Sequence, residues 1–330
     1  MFAQTKDHQA KVAAVRSDAP PKPPLGLLPI PWPADNPYSA AKADLGRLLY
    51  FDKRLSGDAT ISCASCHAPD HAFTDNAPVS TGIKGQKGGR SAPTTLNRAY
   101  SEAQFWDGRA ASLEVQAVGP IANPIEMGEI YPNVVKKLSS IPGYAPLFTA
   151  AFGSPEITID KIGKAIATFE RTLLSGNSAY DRYKAGNKTA LNASQVRGMD
   201  VYFNKAKCDA CHEGVNFTSN SYRNLGVGID KPNPDTGRHI VTKKDEDWGA
   251  FKTPTLRDIS KSAPYMHDGS LLTLEEVVEF YDKGGIPNKN LDQRMVKLNL
   301  TDRDKKDLIA FLTALDGQPL KVTVPAVFPQ

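Results

Sequence analysis

Histidine and cysteine are scarce in this chain, with six and four among 330 residues. Long apolar runs are missing altogether, since nothing approaches the ~20 consecutive apolar residues of a membrane-spanning helix. Charge of one sign is missing too. The 40 Lys and Arg exceed the 36 Asp and Glu by 40 − 36 = 4, spread along the chain, so no nucleic-acid-binding surface is expected. With 40% hydrophobic and 23% charged residues the composition excludes a disordered or collagen-like chain. The length suits about two domains of ~150 residues each.

What is present begins with proline. Residues 19–37 (APPKPPLGLLPIPWPADNP) cannot form a helix or a central strand and are expected to run extended over a domain surface. Leu25, Leu27, Leu28, Ile30 and Trp32 within them would be costly to leave in water. Beyond this segment the patterning is helical. Ser39 can cap a helix carrying Leu45, Leu48 and Leu49, and Thr158 one carrying Ile159, Ile162, Ile166, Phe169 and Leu173. Thr273 to Glu276 forms a capping box ahead of Val277, Val278 and Phe280, and Thr301 opens a last helix with Leu308, Phe311, Leu312 and Leu315. Long Gly-, Pro- and Asn-rich loops, notably 75–97 and 218–254, separate these helices. Loops of that length are uncommon unless they carry function or wrap a ligand. The expected class is mainly α with little strand, built around a large prosthetic group.

All four cysteines fall in two copies of one pattern, Cys63-Ala-Ser-Cys66-His67 and Cys208-Asp-Ala-Cys211-His212. This is the attachment signature of c-type haem. On a short helix the two thiols face the same way, each able to form a thioether with a haem vinyl group, and the next residue presents its imidazole to the iron. One zinc site built from both pairs is the main alternative, but zinc needs no histidine after each second cysteine, and the pairs lie far apart. A redox dithiol would need one pair in a βαβ context that is missing here. Of the other histidines, His8 sits in a polar tail and His71 falls on the same segment as His67, badly placed for the opposite face of that haem. His239 and His267 are candidates for lining a pocket or contacting propionates. Covalent haem implies an extracytoplasmic compartment, yet residues 1–16 lack the apolar core of a signal peptide, so a leader already removed is expected.

The segment 86–108 (QKGGRSAPTTLNRAYSEAQFWDG), continuing to Met127, closely resembles the bacterial di-haem cytochrome c peroxidases, as do Thr253-Pro-Thr-Leu-Arg257 and Ala263-Pro-Tyr-Met-His-Asp-Gly269. The resemblance covers most of the chain from about residue 37 to 316 with both haem motifs in register. It implies two cytochrome c-like helical domains, each with one covalent haem: a tail and Pro-rich segment over 1–37, a peroxidatic domain over 38–185 and an electron-transfer domain over 186–330. It makes His67 the proximal ligand of the peroxidatic haem and His212 that of the other, and sets Trp106 between the two. Glu126 matches the distal carboxylate, the base that moves a proton between the peroxide oxygens. Gln116 and Pro120 match further residues of that distal pocket. The same resemblance implies hydrogen peroxide as substrate, a redox partner protein, one calcium ion between the domains and a homodimer in the periplasm.

Two departures from the family pattern stand out. Many of its members place a histidine in the loop before QKG that ligates the peroxidatic iron at rest; here Ile83 stands at that position, so an open iron is expected. Where the conventional enzymes place a methionine on the second haem, this chain has Tyr281, like the MauG-like members, which store oxidising equivalents across both haems. A phenolate is hard and anionic and favours oxidised iron, whereas methionine raises the potential. Met266 and Met295 are the alternatives. For calcium, Ser91 takes the place of the family's asparagine, with Ser262 and Pro264 as carbonyl donors. The resemblance therefore implies a MauG-like di-haem peroxidase. The rival readings are a conventional peroxidase fed by a small cytochrome or cupredoxin, and a non-catalytic di-haem electron carrier.

Overall fold

The structure, a computed structural model, describes residues 18–330, so His8 lies outside the described residues. Helices dominate: α1 (Ala40–Phe51), α2 (Cys63–Cys66), α3 (Leu113–Ala122), α4 (Tyr131–Ser139), α5 (Tyr144–Phe152), α6 (Ile159–Glu170), α7 (Ala179–Lys184), α8 (Ala193–Asp200), α9 (His239–Thr242), α10 (Leu274–Asp282) and α11 (Asp302–Thr313). The described strands are β1 (Tyr222–Asn224) and β2 (Ala250–Lys252), paired antiparallel. The four caps expected from sequence all form. Ser39 accepts from the Lys42 amide, Thr158 from Lys161, and Thr273 and Thr301 close capping boxes with Glu276 and Asp304. Leu173 and Leu315 lie just past the ends of α6 and α11 yet remain in the core.

Two hydrophobic cores are built the same way. In the first, α1 crosses α6 where Gly46 leaves room; a Cβ there would overlap the Ala165 carbonyl oxygen. In the second, α8 crosses α11 at Gly198, where a Cβ would overlap the carbonyl oxygen of Asp307. Beside each crossing two aromatic rings meet, Tyr50 with Phe169 and Tyr202 with Phe311, at 5.2 Å between centroids in both cases. Each tyrosine hydroxyl then donates to the carbonyl of a motif histidine, Tyr50 to His67 at 2.9 Å and Tyr202 to His212 at 2.6 Å. Core packing thereby fixes both haem-attachment segments.

The Pro-rich segment runs extended, as expected, and touches both cores' surroundings. Ile30 is buried with Ala99 and Leu174, the Tyr100 hydroxyl donates to the Leu28 carbonyl at 2.7 Å, and Arg257 donates to Gly26 at 3.2 Å. Leu25 and Leu28 nevertheless stay exposed, because the segment is held by its backbone carbonyls at those points. Tyr180, on the amino-terminal side of the boundary expected after residue 185, packs with Phe217 and Phe311 of the second core. The carboxy-terminal tail returns to the first core, where Leu320, Val322 and Phe328 pack and the Pro329 carbonyl accepts from Arg54 at 2.9 Å. Nothing in its proline-broken sequence, which has no helical period, signalled that return.

Candidate functional site

Both motifs adopt tight turns that aim their side chains one way. The His67 amide donates to Cys63 at 3.0 Å and that of His212 to Cys208 at 2.9 Å. The Nδ1 of His67 lies 3.2 Å from the Phe73 carbonyl, and that of His212 lies 3.2 Å from Phe217 and 3.1 Å from Pro254. A carbonyl can only accept, so Nδ1 carries the proton and Nε2 keeps its lone pair for a metal. Burial lowers the pKa of both imidazoles, that of His212 to about 4, which keeps them neutral and ligating. Burial also pushes the thiols up, Cys66 to about 11 and Cys208 to about 12, with Cys63 and Cys211 raised as well. Such thiols are not the depressed-pKa thiolates of a redox pair. Among the described residues no three Cys, His, Asp or Glu converge, so the two pairs do not meet in one zinc site.

Each motif opens into its own cavity. The one beside Cys63, Cys66 and His67 measures about 1790 Å³ and the one beside Cys208, Cys211 and His212 about 1830 Å³, mouths included. Two thiols, a neutral imidazole and a largely apolar lining fit a covalently held haem at each motif.

The His67 cavity is lined by Glu126, Gln116 and Pro120, together with Arg109 and Asn123. Asn123 donates to Glu126 Oε1 at 2.7 Å. Burial pushes the Glu126 carboxyl above the usual carboxylate range, while the Arg109 charge and the Asn123 bond work against that rise. His67 is the one histidine in this lining. Ile83 is buried elsewhere: its amide donates to the Glu126 carbonyl at 2.8 Å and its side chain packs on Gly128. It therefore offers neither a ligand nor a path for one.

The His212 cavity is lined by Tyr281, Met266 and Met295. Burial pushes the Tyr281 phenol up, reinforced by Cys208 and Cys211, so the hydroxyl is neutral unless a cation draws off its proton. A repeat missed in the sequence relates the two cavities. Residues 93–120 and 254–281 align end to end without a gap, sharing Pro-Thr at the start, Asp-Gly at 107–108 and 268–269, and Leu-Glu at 113–114 and 274–275. The backbone repeats as well. Asn97 and Asp258 are left-handed, as are Phe105 and Met266, and the bridges Gln104 to Ala110 and Tyr265 to Leu271 correspond. Ser112 and Thr273 cap α3 and α10 alike. Under this alignment Pro120 and Tyr281 occupy one helical position in two copies. A pyrrolidine ring has no lone pair to offer a metal and a phenol has; that one difference makes the cavities chemically unequal.

Between the cavities stands Trp106, which lines both and donates from Nε1 to the Ser91 carbonyl at 2.8 Å. Its repeat counterpart, His267, lines the His212 cavity and stacks on Phe251 at 3.6 Å. Ser91, Ser262 and Pro264 line the same cavity, and the Ser91 amide donates to His267 at 2.7 Å. His71 is exposed and His239 turns its Nδ1 to the Lys244 carbonyl at 2.9 Å; neither lines either of these two cavities.

Comparison with known proteins agrees with this geometry. Residues 40–189 match the model of the di-haem cytochrome c peroxidase family. The chain is 41% identical over 300 residues to the methylamine utilization protein MauG of Methylophilus methylotrophus, covering 90% of this chain and 88% of that protein. It is 40% identical over 305 residues to the cytochrome c551 peroxidase of Nitrosomonas europaea, covering 91% and 87%. A crystal structure of a MauG-like protein associated with microbial copper homeostasis superposes with a TM-score of 0.83 at 36% identity, covering 89% of this chain and 95% of that one. Among the described residues no helix is long and apolar enough to cross a membrane. The chain, with two c-type haems and a peroxidase activity toward hydrogen peroxide, belongs to the di-haem cytochrome c peroxidase and MauG family.

Proposed function

We propose that this enzyme works in the MauG-like manner, with one haem open to peroxide and the other closed by Tyr281. The observation that carries the reading is the pairing of Pro120 with Tyr281 at one position of a repeated helix. Cys63, Cys66 and His67 would hold one haem in the lobe over 38–185, and Cys208, Cys211 and His212 the other in the lobe over 186–330. A bound c-type haem supplies an iron that accepts peroxide and exchanges electrons.

The protein's own part is proton handling and insulation. Glu126, ionised, takes the proton from the near oxygen of hydrogen peroxide and returns it to the far one, so that water leaves. Asn123 keeps the carboxylate in place by its bond to Oε1, and Gln116 offers an amide to orient the peroxide. Overall, hydrogen peroxide, two protons and two electrons give two waters. The electrons come from a redox partner protein, and Trp106, lining both cavities, is placed to relay them. That partner is either a protein substrate or a small cytochrome or cupredoxin. A calcium ion held by Ser91, Ser262 and Pro264 would stiffen the wall beside Trp106, and a periplasmic homodimer completes the reading.

Tyr281→Phe is the test. The variant is expected to lose the ferric low-spin resonance of the second haem in electron paramagnetic resonance while both haems stay attached. An unchanged resonance would favour the second reading, a conventional peroxidase in which Met266 or Met295 ligates, since both line the cavity. Peroxide should also shift the Soret band of the fully ferric protein without prior reduction. A band that stays still would leave an electron carrier.

A further inference from the structure

The wall between the cavities buries two cations that have no anion. Arg98 is 9% exposed and Lys252 4%. Arg98 lines both cavities and Lys252 that of His212. Arg98 Nε donates to the Thr94 carbonyl at 2.7 Å, and among the described residues its two Nη groups have no hydrogen-bond partner and it makes no ion pair. Lys252 Nζ donates to the Ala103 carbonyl at 2.6 Å and likewise pairs with no carboxylate among those residues. Burial pulls Arg98 down to about 10 and Lys252 well below the usual ammonium range, and the Arg98 charge adds to the effect on Lys252. The carboxyl that favours the Arg98 cation is Glu170, but burial pushes Glu170 up to about 8 and its Oε2 has no partner, so it is mostly protonated at neutral pH. Buried charges of this kind are retained only where something neutralises them. The repeat sharpens the point, since Ile259 stands opposite Arg98 in the second copy: a single guanidinium borders both cavities.

We propose that Arg98 is a shared anchor for the propionate carboxylates of both haems, with Lys252 the second cation for the haem held by His212. The proposal rests on the two-haem reading above. A planar guanidinium with two free Nη groups suits two carboxylates at once, one from each side. Lys252 also ties this pair to the indole, because its amide donates to the Trp106 carbonyl at 2.8 Å. Arg98 is thus a positioning residue that makes the two haem potentials respond together.

A cation beside a haem disfavours its ferric form, so removing it lowers the midpoint potential. It also keeps a propionate ionised; without it the carboxylate takes up a proton on reduction and the potential becomes more pH-dependent. Spectroelectrochemical titration of the holoprotein between pH 5 and 8 reads both effects. Arg98→Gln is expected to lower both midpoints and steepen their pH dependence, Arg98→Lys to restore most of the loss, and Lys252→Met to lower the midpoint of the His212 haem alone. Two attached haems with either midpoint unmoved in Arg98→Gln, or both unmoved in Lys252→Met, would overturn the proposal. A wild-type protein carrying fewer than two covalent haems would overturn the two-haem reading instead.

Discussion

Glu126→Gln is expected to slow the reaction of the ferric protein with hydrogen peroxide by about 10²–10⁴-fold, the usual worth of a positioned general base. Glutamine keeps the carbonyl that accepts from Asn123 and nearly the same volume, so the loss isolates proton transfer from packing. The pH profile carries a second signature. Glu126 can accept a proton only when ionised, and burial raises its pKa above the ordinary carboxylate value. The wild-type rate should therefore be full well above that raised pKa and fall as pH drops through it, and Glu126→Gln should lack this acid limb. Stopped-flow measurement of the Soret change at a series of peroxide concentrations checks both. A variant within a few-fold of wild type, or one that keeps the acid limb, would take the base role away from Glu126.

Asp181→Ala should destabilise the fold by about 3–5 kcal/mol, as expected when one partner of a buried ion pair is removed. Arg257 is 1% exposed and reaches Asp181 through two bonds, at 2.8 and 2.9 Å. It also donates to Val215 at 2.8 Å, next to the second haem motif, and to Gly26 of the Pro-rich segment. The carboxylate thus compensates a charge that ties three separate parts of the chain together. Burial alone would raise the Asp181 pKa, but the Arg257 bond and charge, with Ser178, hold it below the usual value. The stability it contributes is present above the unfolded pKa of about 3.9 and lost as pH falls through the lower folded value. Calorimetric unfolding at pH 7 should show the full loss, and the Asp181→Leu, Arg257→Leu pair should cost less than Asp181→Ala alone. Additive losses in that double variant would refute the stranded-charge account.

Much of the site was legible without coordinates because c-type attachment is a local chemistry. Two thiols and an imidazole must come from five consecutive residues, so Cys63 to His67 and Cys208 to His212 declare themselves. Helix starts were legible for the same reason, since Ser39, Thr158, Thr273 and Thr301 bond to amides within three residues. Less local features escaped notice. The repeat between 93–120 and 254–281 is faint in residue identity and plain in backbone geometry, because left-handed turns at Asn97 and Asp258 are kept while most side chains have diverged. Arg98 and Lys252 look like any surface cations in the sequence; only packing shows them inside.

By itself the sequence determined the class of fold, the covalent haem sites and the shortage of histidine that leaves the first cavity without a second one. These follow from bonds between near neighbours and from simple counting. The tertiary structure brought the pairs that the resemblance implied, Glu126 with His67 and Tyr281 with His212, into shared cavities with Trp106 lining both, and it alone set Arg98 against both. The reason is physical. Burial, which neutralises the thiols and imidazoles, raises Glu126 and strands the two cations, is a property of what lies across a cavity, and neighbours in space are not written in the order of the chain.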